Sequence, residues 1–192
     1  MSQTGWIIVA VVVIAAIIVA ALVWSRRRRS DHLRDKFGRE YDRAVEEKGG
    51  RAKAEAELAE REKRVEKLNI RPLSTSERRE FIDRWTEVQA RFVDDPPRAV
   101  AFADALLGQV MKARGYPVTD FDQRAGDISV DHPVVVDYYR KAHEIAVRHE
   151  RGEASTEDLR QAMIHYRALF DNLVGAQAPG SAAERQPEAA HH

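Results

Sequence analysis

Between Trp6 and Trp24 the chain carries nothing but Ile, Val, Ala and Leu, and four arginines, Arg26 to Arg29, follow directly after Ser25. At ~1.5 Å of rise per residue this run would cover roughly 28 Å as a helix, close to the hydrocarbon thickness of a bilayer. Amphipathic tryptophan rings at both ends favour the headgroup level. In lipid only a helix satisfies every backbone group within one segment, so the β-branched content is no obstacle. The stretch therefore predicts a transmembrane helix over 6–24. A cleaved signal peptide fits less well, because residues 1–5 carry no charged side chain and the charges follow the apolar core. Lys and Arg are retained on the cytoplasmic side, which predicts an N-out, C-in protein of the inner (plasma) membrane. Trp6, Trp24 and Arg26, Arg27, Arg28 and Arg29 are the expected membrane anchor, with the arginines on the anionic inner leaflet of the lipid bilayer.

Composition narrows what the remainder can do. Lysine plus arginine and aspartate plus glutamate balance at 31 each, so no strongly basic domain points to nucleic acid. The distribution is uneven: bases outnumber acids from Arg26 to Arg71, and acids outnumber bases from Pro72 onward. Cysteine is absent, which removes disulfides, thiol catalysis and thiolate metal sites.

Beyond the apolar run the pattern is helical throughout. Ser30 and Asp31 can cap a new helix, and Leu33, Phe37, Tyr41 and Val45 recur every four residues on a charged rod. Gly49-Gly50 predicts a break, after which Arg51 to Leu68 is a strong helix former with too few large apolar residues for a sustained coiled-coil seam. Residues 25–71 are thus a basic juxtamembrane stalk. Residues 72–174 predict a small antiparallel helical bundle. Ser74 and Glu77 have capping-box spacing, and Phe81, Trp85, Val88 and Phe92 form one apolar face. Asp95 followed by Pro96-Pro97 starts the next helix, and Gly115 ends it. Val118 to Asp131 reads as a loop holding one short helical turn. His132-Pro133 opens a further helix, and the Ser155–Asp158 cap opens the last. Residues 175–192, rich in Ala, Pro and Gly, predict a disordered tail. No strand pattern is present, so the fold class is all-α.

The phrases EYDRAVEEKGGRAKAEAELAEREKRVEKLNIRPLS, WTEVQARFVDD, ARGYPV, DFDQRAGDISVDHP and GEASTEDLRQAMIHYRALF, spread over roughly 39–173, carry a resemblance. They resemble a family of uncharacterised bacterial, actinobacterial-type, single-pass membrane-anchored helical proteins. The resemblance implies one N-terminal membrane helix and a helical domain. It implies no activity, substrate or catalytic residue.

Chemistry is sparse. His143-Glu144 begins like a zinc-protease motif, but Val147 stands where the second histidine is needed, and His149 lies about 120° around the helix. His132 and His165 have no metal-ligand spacing either, and the tail pair His191-His192 is a weak ligand at best. Phosphate-binding loops, nucleophile elbows and dinucleotide fingerprints are missing. No catalytic, metal or cofactor residue is expected. The most polar and least repetitive stretch is 116–133, whose Tyr116, Asp120, Phe121, Asp122, Asp127, Asp131 and His132 make a candidate recognition loop. The expectation is a tethered interaction or scaffold module that binds a protein partner or a second copy of itself. An enzyme or ligand-binding domain using 116–133, or an envelope factor outside the cell, is the alternative.

Overall fold

The structure, a computed structural model, describes the backbone from residue 3 to residue 175 and the side chains from residue 13 to residue 175. The described residues form eight helices and no strand: α1 (Gln3–Phe37), α2 (Arg39–Lys48), α3 (Arg51–Val65), α4 (Thr75–Arg91), α5 (Pro96–Arg114), α6 (Phe121–Asp131), α7 (Pro133–Glu150) and α8 (Thr156–Gly175). The chain divides into two compact units at Leu58, so the boundary falls inside α3. The expected tail, from residue 176 on, lies outside the described residues.

The expected membrane helix requires correction. Among the described residues no helix is long and apolar enough to cross a membrane. Residues 6–12 of the expected span lie outside the residues whose side chains are described. Arg26 to Arg29 then continue the same helix, with Arg28 lying 3.7 Å from the centre of the Trp24 ring. The side chain of Trp6 lies outside the described residues. The inner-membrane, N-out/C-in placement is overturned on that finding.

In the first unit, Ser30 does not start a helix. It sits within α1, and its hydroxyl donates to Glu55 Oε1 at 2.5 Å. The stripe read as one rod is broken at Gly38, whose φ of 50° lies in the left-handed region that glycine adopts without strain. Leu33 and Phe37 before the break and Tyr41 and Ala44 after it are all buried, as are Ala54 and Leu58 of α3. Glu55 gathers the polar contacts. The Tyr41 hydroxyl donates to it at 2.8 Å and Arg51 Nε at 2.9 Å. Burial works against its ionisation, but the donors Ser30, Arg51 and Tyr41 outweigh it and hold the carboxyl below its usual range.

The second unit is the helical bundle. α8 packs on α7 and α5, α4 packs on α5, and α6 packs on α7. Helix starts follow the sequence signals. The Ser74 hydroxyl accepts from Glu77 N at 3.2 Å, the Glu77 carboxylate accepts from Ser74 N at 2.8 Å, and Arg71 donates to both Glu77 oxygens at 2.9 and 2.6 Å. Asp95 caps α5 through Arg98 N, and Ser155 with Asp158 forms a reciprocal cap on α8. The core is dominated by Trp85, Leu107, Met111, Tyr139, Tyr166 and Phe170, with Trp85 stacked on Phe170 at 4.6 Å. Burying each such large side chain stabilises the fold by about 1.5–3 kcal/mol relative to leaving it in water.

The stretch expected to be mainly loop is instead the helix α6. Asp120 caps it by accepting from Gln123 N at 3.0 Å. Every residue from Ala125 to Val130 is buried. Two of its polar residues point inward: Ser129 Oγ donates to Gly126 O at 2.6 Å, and Asp127 pairs with Arg64. A polar composition with few large side chains suggests a loop, but the small residues let this helix sit deep among its neighbours.

Candidate functional site

The seven residues of the candidate recognition loop do not converge. Asp120 and Asp122 are exposed, the first occupied as a cap. Asp127 is 1 % exposed and accepts from Arg64 Nε at 2.8 Å. Phe121 stacks face to face on His143, with ring centres 3.6 Å apart, and tilts against Tyr139 at 4.8 Å. The structure does bring together Tyr116, Asp131 and His132, around a residue that sequence reasoning passed over.

That residue is Arg114, 1 % exposed at the end of α5. Its Nη1 lies 3.2 Å from Leu173 O and 3.2 Å from His132 Nε2, and its Nε lies 3.4 Å from Arg71 O. Tyr116 donates to Asp131 Oδ2 at 2.7 Å in the same cluster. Burial lowers the Arg114 pKa, and burial with the nearby guanidinium lowers that of His132, so the neutral imidazole can accept from the arginine. Burial and the Asp131 carboxylate push the Tyr116 phenol well above its ordinary value. These groups saturate one another and fasten the Arg71 segment, α5, α6 and α8 together. The arrangement is a clasp.

Two cavities lie elsewhere in the bundle. The first, of about 280 Å³, is an open groove between α4 and α8. Trp85, Phe92, Met163 and Ile164 form its apolar floor, with Gln89, Arg160 and Arg167 around it. Ile164 is half exposed. No carboxylate lines the groove, although Arg160 is held by Glu157 at 2.6 Å and Arg167 by Asp171 at 2.8 Å.

The second cavity, of about 250 Å³, lies between α5, α7 and α8. Val100, Ala146 and Leu159 supply part of its apolar wall, and Asp104, His143, His149, Glu150 and Tyr166 its polar one. Asp104 Oδ2 faces Arg124 Nη2 at 3.8 Å, while Oδ1 is buried without a hydrogen-bond partner. The hydroxyls of Tyr139 and Tyr166, both 0 % exposed, face the Asp104 carboxylate without closing a short hydrogen bond to it, and His149 Nδ1 is buried without a partner. Burial, then the Asp104 carboxylate, pushes both tyrosines far up, and burial pulls His143 down. Each unsatisfied buried group costs about 1–3 kcal/mol, so the concentration of them here is notable. The described residues hold no group of three or more His, Cys, Asp or Glu placed to hold a metal ion.

Asp104 and Arg114 were both legible in principle. Asp104 is adjacent to the inward stripe Val100, Ala103 and Leu107, and Arg114 continues the stripe Leu107, Val110 and Met111. A charged side chain on an apolar stripe is the signal that a polar partner waits inside the fold. Comparison with family models, with curated proteins and with solved structures finds no match to this chain.

Proposed function

We propose that the helical bundle is a protein-interaction module whose α4–α8 groove receives an amphipathic helix of a partner protein, apolar on one face and acidic along its flank. The observation that carries this reading is the lining itself: an aromatic and aliphatic floor bordered by two arginines, with no acidic side chain. Apolar anchors in a groove supply affinity, and guanidinium groups at the rim select acidic flanks. A scaffold needs no reaction centre. Within 116–133, Asp120, Phe121 and Asp127 serve capping, stacking and ion-pairing contacts, while Tyr116, Asp131 and His132 join the Arg114 cluster.

The test uses the full chain with Trp6→Phe and Trp24→Phe, which leaves Trp85 as the sole indole. A synthetic amphipathic peptide with leucines at helical spacing and glutamates on its flanks is titrated while Trp85 emission is followed. Saturable binding that Arg160→Glu with Arg167→Glu abolishes supports the reading. Equal binding of a lysine-flanked peptide, or no response to either, defeats it. Sedimentation of the peptide-free protein distinguishes a second copy as the occupant, since self-association would then depend on the same two arginines.

A further inference from the structure

We propose that His132 is a proton-operated latch: a proton taken up on its ring releases the hold of Arg114 on the Arg71 segment and on the last turn of α8, while the rest of the bundle stays folded. The latch uses no residue of the α4–α8 groove. An arginine side chain carries N–H donors and no acceptor. Arg114 Nη1 lies 3.2 Å from His132 Nε2, a contact that needs a bare lone pair on that nitrogen. The closed latch therefore holds a neutral ring with its proton on Nδ1.

Protonation puts an N–H on the one nitrogen that Arg114 uses, so two donors and two positive charges face each other. The surroundings do not absorb the added charge. Arg114 from α5 opposes it, Asp131 at the end of α6 favours it, and α8 supplies only the uncharged side chain of Asn172, hydrogen-bonded to the ring. Asp131 is already engaged, since its Oδ2 accepts from Tyr116, in the turn after α5, at 2.7 Å. Burial acts first and the guanidinium second, and together they hold the His132 pKa below its ordinary value. The effect spreads through Arg114. The same Nη1 lies 3.2 Å from Leu173 O, and Nε lies 3.4 Å from Arg71 O, whose own N–H donates to the Arg114 carbonyl at 2.9 Å. A guanidinium that moves away from a charged imidazole leaves both carbonyls without that donor. Arg71 lies on the connection between α3 and α4 and Leu173 in the last turn of α8, and such margins open at lower free energy than a core. In the open form the imidazole regains its ordinary pKa, about 6.5. The closed form is thus fully favoured above that pH and loses ground below it, by up to about ten-fold per pH unit.

The experiment is amide hydrogen exchange on the full chain at about pH 7.5 and about pH 5.5, read as protection relative to an unstructured peptide at each pH. The reporters are the Arg71 amide and the amides of the last turn of α8. They should be less protected than amides in the middle of α5, and should lose several-fold in protection over that interval, with about ten-fold as the limit. His132→Gln keeps an acceptor for Arg114 and takes up no proton, so the loss should vanish. His165→Gln should leave the loss at the reporters intact, because local opening frees His132 alone, whereas unfolding of the whole bundle would free His165 as well. Should His132→Gln fail to fold, NMR titration of the His132 ring in the unaltered chain decides the same point, its midpoint expected below that of histidine in an unstructured peptide. Four results would overturn the proposal: reporters as protected as the middle of α5, no loss at the lower pH, a loss that His165→Gln reduces or that His132→Gln leaves in place, or a His132 midpoint at or above the unstructured value.

Discussion

Gly115 has φ 99° and closes α5, and a Cβ built there would lie 3.1 Å from the Asn69 carbonyl carbon and closer still to its oxygen. Both backbone strain and collision with main chain therefore oppose any side chain. Gly115→Ala should cost at least about 2 kcal/mol, read as a lower urea midpoint with unchanged slope. The preceding residue is equally constrained. Arg114→Leu keeps an apolar stem but orphans the Leu173 and Arg71 carbonyls, and should cost about 3 kcal/mol by the same measurement. That Gly115 ends a helix was visible in its position before Tyr116-Pro117. That the Asn69 backbone lies against it was not, because nothing local links residues 69 and 115.

At the level of elements, the helix starts were the most readable part of the chain, since a cap is decided within four residues. Ser74–Glu77, Asp95–Pro97 and Ser155–Asp158 all form as their spacing implies. α6 was not readable, because its inward polar residues find partners far away in sequence, such as Arg64 for Asp127. The caps set an acid limit on stability. The carboxyl of Glu77 is lowered first by Arg71, that of Asp158 first by Ser155, and that of Glu157, first by Arg160, to about 2. Groups whose folded pKa is depressed stabilise the fold above their unfolded pKa and lose that contribution as pH falls through the folded one. Melting temperature should therefore drop between about pH 5 and pH 2, and Glu77→Gln should flatten that drop. A separate decline should begin below about pH 6.5, because burial depresses His132, His143 and His165 and the unfolded chain takes up protons first. His132→Gln should diminish this upper limb and leave the lower one, as followed by circular dichroism across the pH series.

For the molecule as a whole, helical class was legible because apolar residues recur at helical spacing from Leu33 to Val174. The division of the chain was not. The Gly49-Gly50 break marks the end of α2, whereas the two units part inside α3, where Arg51–Val65 runs on as one helix. The apolar N-terminal run was the loudest signal in the sequence and led to the reading that is corrected, since no helix among the described residues is long and apolar enough to cross a membrane. The bundle's core is drawn from residues between Leu73 and Val174, flanked by Leu68 and Ile70. A fragment from Ala59 to Gly175 should therefore unfold cooperatively in urea, with the buried Trp85 as its only tryptophan and reporter.

The Arg114 guanidinium reaches Arg71 O with one nitrogen and Leu173 O with another. The segments by which the chain enters and leaves the bundle therefore meet at a single side chain, across a narrow gap. A short linker across that gap, with new ends cut at the exposed turn Gly152-Glu153, would give a circular permutant that retains every helix from α4 to α8. In the natural order Arg114 closes the gap through two contacts, 43 residues from Arg71 and 59 residues from Leu173, and closure entropy rises by only about 0.6 kcal/mol for each doubling of a loop.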